Sequence, residues 1–155
     1  MKIVKIQILL LCSLFVFSGC AYYNTFYNAK QFYKKAENKR KDREKTQVVE
    51  LSPEEQERLR KSGFGRGSEV NKASTEEMQN YQRAIEKSSK VLEFYPTSKY
   101  IDDAIMLLGK CFFYRSEYSK ALRKFEELIS LYPKSEFISE SKLFIMIHST
   151  FFSIS

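Results

Sequence analysis

A segment of this 155-residue chain repeats itself at one constant spacing, and that repeat constrains the fold more than any other feature. Tyr81-Gln82-Arg83-Ala84 pairs with Tyr118-Ser119-Lys120-Ala121 at an offset of 37 residues. Val91-Leu92-Glu93-Phe94-Tyr95-Pro96 pairs with Leu128-Ile129-Ser130-Leu131-Tyr132-Pro133 at the same offset, and Ser98, Tyr100 and Ile101 pair with Ser135, Phe137 and Ile138. An offset that holds on both sides of a proline means that one structural unit is used twice. A unit of this length cannot bury its apolar face alone, so neighbouring copies must stack.

Each unit reads as two amphipathic helices. Ile101, Ala104, Ile105, Leu108 and Phe112 recur at three- and four-residue spacing, and so do Tyr118, Ala121, Leu122, Phe125, Leu128, Ile129 and Tyr132. That periodicity puts each set on one helix face. Pro96 and Pro133 stop the second helix of each pair, because proline lacks an N–H and disfavours helix in the residue before it. Ser98 and Ser135 are placed to cap the helices that follow, and Ser116-Glu117 marks the turn inside the hairpin. Gly109 in mid-helix costs about 1 kcal/mol against alanine, which a close helix crossing would explain.

The order of residue types resembles the tetratricopeptide repeat (TPR). That family's sequence of a large residue, Leu-Gly, two aromatics, Ala, an aromatic, a small residue and Pro reads here as Ile105, Leu108-Gly109, Phe112, Tyr118, Ala121, Phe125, Leu128 and Pro133. Ile105 and Leu128 depart from it, standing where an aromatic and an alanine are usual. The lengthened period and the Tyr-Pro ending are similar to the BamD (YfiO) lipoproteins of the outer-membrane assembly machinery, over residues 78–145. The expected fold is all-α, a short α-solenoid of TPR-like helical hairpins. In such repeats the first helices line a concave groove that holds a peptide or a partner helix. The resemblance places Asp103, Met106, Lys110, Phe113 and Tyr114 on that face. Phe113 and Tyr114, left over from the core stripe, either anchor a partner or pack on the following repeat.

The first twenty residues read as an export signal. Lys2 and Lys5 precede an apolar run from Ile8 to Phe17, too short to cross a bilayer core, which takes about 20 residues. Phe17-Ser18-Gly19-Cys20 resembles the bacterial lipobox, with Phe17 where an aliphatic residue is usual. The resemblance implies cleavage after residue 19 and lipid on the Cys20 thiol, and Ala21, which is not Asp, implies outer-membrane sorting. Cys12 leaves with the signal and Cys20 is alkylated, so Cys111 remains alone and no intrachain disulfide forms. Cys111 lies in an apolar helical run and reads as packed.

Four segments follow: a lipoprotein signal peptide at 1–19, a lipid-anchored N-terminal helix at 20–45, a flexible insertion at 46–74 and the TPR-like repeats at 75–155. Asn24 to Lys45 reads as the first helix of an earlier repeat, with its partner at 76–94 opened by the capping box Ser74-Thr75-Glu76-Glu77. Residues 20–72 carry 13 basic and 8 acidic residues, and residues 73–155 carry 11 of each. The basic excess either rests on anionic headgroups or forms a solvated helix. Gly63, Gly65 and Gly67 lack the Lys-Ser/Thr pair of a phosphate loop and read as linker. At the other end, Ser135 to Ser155 opens a third repeat without its partner helix. Its apolar surface is either covered by a partner or second copy, or belongs to a solenoid cut short.

No catalytic constellation is visible. His148 is the sole histidine, which leaves neither a histidine-rich metal site nor a nucleophile–base pair outside the last helix. Adjacent acids such as Asp102-Asp103 point about 100° apart on a helix and do not share a site. The expectation is therefore a binding protein, not an enzyme, with no cofactor, no metal and no nucleic-acid partner. The family resemblance implies a membrane-anchored scaffold on the periplasmic face of the bacterial outer membrane. Its protein partner would be an outer-membrane assembly component or an unfolded barrel substrate. The alternative is an adaptor lipoprotein of a cell-division, motility or secretion complex.

Overall fold

The computed structural model of the chain describes residues 24–46, 54, 57 and 74–152, with side chains to residue 150. The expected signal segment, Cys20 and nearly all of the 46–74 insertion, including its Gly63–Gly67 loop, lie outside the described residues. The long helices are α1 (24–46), α2 (Thr75–Phe94), α3 (Ile101–Tyr114), α4 (Tyr118–Leu131) and α5 (Ile138–Phe152). The fold is an all-α stack of TPR-like hairpins.

The helix boundaries carry the repeat. α2 and α4 end on Phe94 and Leu131, and α3 and α5 begin on Ile101 and Ile138, both pairs 37 residues apart. The connecting loops repeat bond for bond. Tyr95 N–H donates to the Val91 carbonyl at 3.0 Å and Tyr132 to Leu128 at 2.9 Å. Ser98 N–H donates to Tyr95 at 3.0 Å and Ser135 to Tyr132 at 2.9 Å. Ser98 and Ser135 do not cap α3 and α5 directly; their hydroxyls accept from the N–H two residues on, Tyr100 at 3.1 Å and Phe137 at 3.3 Å. Each serine thus fixes a tight turn that leads into the helix, and Tyr100 occupies the cap position of α3 with no side-chain cap.

Successive helices run in opposite directions. Along α1 and α2, Arg43 meets Glu77 and Tyr33 meets Tyr81. Along α4 and α5, Tyr118 meets His148 and Phe125 meets Phe144. The first helices of successive hairpins are parallel neighbours: Phe26, Tyr33 and Arg40 of α1 meet Tyr100, Lys110 and Tyr114 in the same order.

The α3–α4 crossing is as close as Gly109 implied. A Cβ there would stand 2.8 Å from Cδ1 and 2.9 Å from Cζ of Phe125, and closer still to Cε1. Phe125 is fully buried and stacks on Phe144 with ring centroids 5.0 Å apart. In the hairpin turn, Ser116 N–H donates to Phe113 and Glu117 N–H to Phe112, both at 2.9 Å. This is a Schellman ending, with Ser116 (φ 62°) in the left-handed position that glycine usually fills.

At the start of α2 half of the capping box forms. The Ser74 hydroxyl accepts from Glu77 N–H at 3.1 Å. The fully buried Glu77 carboxylate takes both arms of the Arg43 guanidinium, at 3.1 and 3.0 Å, and so ties α1 to α2 across the insertion.

Candidate functional site

The first helices α1, α3 and α5 form one row, with α3 in the middle. The five predicted residues fall on the side of α3 that lies between α1 and α5, four of them part-exposed and Met106 buried. Asp103 is half-buried. Burial, then neighbouring Asp102, raise its carboxyl above the ordinary value; Lys30 of α1 opposes this and Glu136 adds to it. Lys110 bridges the row: its Nζ lies 2.8 Å from Glu140 Oε1 of α5 and 5.4 Å from the Tyr33 ring centroid of α1.

The other three are engaged by neighbouring helices. Met106 is buried, and its sulfur accepts the Ser141 hydroxyl of α5 at 3.4 Å, so its expected place on an accessible groove is corrected. Phe113 meets Phe144 edge-on at 4.9 Å and Tyr118 at 5.4 Å. Tyr114 stacks on Tyr81 at 5.9 Å, lies 6.2 Å from Phe144 and carries the Arg40 guanidinium 4.3 Å over its ring. Both rings thus pack on neighbouring helices while staying part-exposed. Asp103, Lys110, Phe113 and Tyr114 all remain part-exposed along the row, and Met106 alone of the five is buried.

Tyr33, Tyr81 and Tyr114 form an aromatic cluster that joins α1, α2 and α3. Burial raises all three phenols above their usual value. Phe144 extends the cluster to Phe113 and Phe125. Cys111 lies fully buried, and burial pushes its thiol up, with Arg115 and Lys110 opposing, so it is packed and unreactive at neutral pH. Among the described residues, no group of His, Cys, Asp and Glu is arranged to hold a metal ion.

Sequence reasoning missed the contributions of the flanking helices to this face, namely Tyr33, Arg40 and Glu140. The repeat offset held a signal for α5, since Glu140 is the counterpart of Asp103 and Leu143 that of Met106. Met106 is buried because α5 lies beside α3, whereas Leu143 has no such neighbour among the described residues and stands exposed.

Parallel first helices backed by second helices, with a core spent on inter-repeat packing, define a helical-repeat protein of TPR-like hairpins. The family of YfiO outer membrane lipoproteins matches residues 67–150, more than half of the chain. The chain belongs to that family. No curated protein and no solved structure matches it. Among the described residues, no helix is long and apolar enough to cross a membrane.

Proposed function

We propose that this chain is a non-enzymatic scaffold, held by lipid on Cys20 to the periplasmic face of the outer membrane. Its row of first helices holds a protein component of β-barrel assembly or an unfolded barrel substrate. Membership of an outer-membrane lipoprotein family is the observation that carries this reading. The partner face on this proposal is the floor between α1 and α5, with Asp103 and Lys110 as the polar contacts. Met106, buried against Ser141, supports that floor, and the part-exposed Phe113 and Tyr114 border it.

The test is to tag the C-terminus, solubilise membranes gently and identify co-purifying proteins by mass spectrometry. Recovery of a large outer-membrane barrel protein with periplasmic domains is the expected result, reduced when Lys110 is changed to Glu. Recovery only of division, motility or secretion components would reject the barrel-assembly role and leave an adaptor lipoprotein. Diacylglycerol on the mature N-terminal cysteine, read by peptide mass, tests the anchor separately.

A further inference from the structure

The topology gathers one kind of feature along one edge. Because the helices alternate in direction, the start of α1, the end of α2, the start of α3, the end of α4 and the start of α5 share a side. Phe26 of α1 stacks on Tyr100 there, ring centroids 5.4 Å apart. Beyond it, the loop around Ser98–Asp102 borders the loop around Leu131–Ser135 across an open groove of about 460 Å³.

Three large apolar side chains stand exposed on this edge: Tyr27 (46% accessible), Phe94 (61%) and Leu131 (64%). Phe94 and Leu131 are repeat counterparts, each the last residue of its helix. A single exposed apolar residue needs no explanation. Here the same exposure recurs at one position of two successive repeats, and a third such residue lies on the same edge.

The chain's own connectivity says what meets this edge. Cys20 precedes Asn24, where α1 begins, by four residues. Four residues span no more than about 14 Å even when fully extended. If Cys20 carries lipid, as proposed above, this edge is the one held at the bilayer, and the turn at Arg115–Glu117 stands about 20 Å further out, one α3 length away. We infer that the edge bearing Tyr27, Phe94 and Leu131 is a membrane-contact surface. It sits on the bilayer that holds the anchor, with Phe94 and Leu131 entering the boundary between headgroups and acyl chains.

This contact is apolar, not electrostatic. Lys99 and Lys134 lie on the edge, but so do Glu93, Asp102 and Glu136, and the charges come close to balancing. The basic half of α1, Lys34 to Lys45, climbs away from the edge, from about 15 Å to about 32 Å along the helix. Much of it is engaged in ion pairs, Arg40 with Glu44 at 2.7 Å and Arg43 with Glu77 at 3.0 Å. Of the two readings of that basic excess, the geometry favours the solvated helix.

The test uses the full lipoprotein reconstituted into phosphatidylethanolamine vesicles, with or without phosphatidylglycerol. Single cysteines at Phe94→Cys, Leu131→Cys and, as the distant reference, Ser119→Cys carry an environment-sensitive fluorophore, while buried Cys111 stays unlabelled. Acyl-brominated lipids should quench the labels at 94 and 131 several-fold more than the label at 119, whatever the phosphatidylglycerol content. Equal quenching at all three positions on a chain whose Cys20 is lipid-modified would overturn the contact surface and leave the anchor standing. Selective quenching only with phosphatidylglycerol would overturn the apolar contact in favour of a charged one. A mass showing unmodified Cys20 would instead refute the anchor, and this inference with it.

Discussion

At Gly109 a hydrogen occupies the space where any other residue would put carbon. The Phe125 ring against it is pinned from behind by Phe144, so it has little room to yield. Gly109→Ala gains about 1 kcal/mol of helix propensity, but overpacking a full core costs about 1–3 kcal/mol. The expected net result is destabilisation of about 1–2 kcal/mol in urea unfolding, the reverse of a glycine replacement at an exposed helix site. Ser116 calls for the opposite change. A non-glycine residue in the left-handed region costs about 1 kcal/mol, so Ser116→Gly should raise the unfolding midpoint and Ser116→Val should lower it. Glu117, one residue on, lies below the ordinary carboxylate range because Lys120 hydrogen-bonds to it and Arg115 sits beside it. Its contribution to stability is present above the unfolded-state value and is lost as pH falls through the depressed one. The group is largely solvated, so Glu117→Gln should flatten the acid limb of the stability profile and change neutral stability by less than about 1 kcal/mol.

Among the elements, α1 is tied to α2 by the buried Arg43–Glu77 pair as well as by its apolar side, Phe26, Ala29, Tyr33 and Ala36. Arg43→Met would leave Glu77 buried and unpaired, a loss of about 3–5 kcal/mol, while Arg43→Met combined with Glu77→Leu should recover most of it. Amide exchange across residues 24–46 is the direct measurement. Acceleration there in the single variant only is the expected outcome. This tie also shows what the sequence could and could not convey. The helices of the repeated unit were legible because apolar spacing, prolines and a constant offset agree on where each begins and ends. The Arg43–Glu77 pair was not, since its partners are 34 residues apart and nothing local distinguishes a buried glutamate from a solvated one. The candidate site was legible to the same degree. The offset and the family pattern placed the candidate residues on the side of α3 that lies between α1 and α5, but how far Met106, Phe113 and Tyr114 would be covered depended on where those helices lie, which is a matter of tertiary packing.

Over the whole molecule, repeat stacks usually unfold piecemeal, each unit answering only to its neighbours. Here Phe144 of the last helix contacts Phe113 and Tyr114 of α3 and Phe125 of α4, and Tyr114 in turn contacts Tyr81 of α2. The native stack should therefore lose its helical content in one transition, and Phe144→Ala should lower its stability by about 3–5 kcal/mol. A two-step melt in which only α5 detached would contradict this coupling.

The chain contains ten tyrosines and no tryptophan. Three of those tyrosines, 33, 81 and 114, come from three different helices and are held in fixed mutual orientation. Rings fixed in an asymmetric setting give near-ultraviolet circular dichroism, and here no indole band obscures the signal. The docking of α1 onto the hairpins behind it can thus be followed optically in the unmodified protein, without a label.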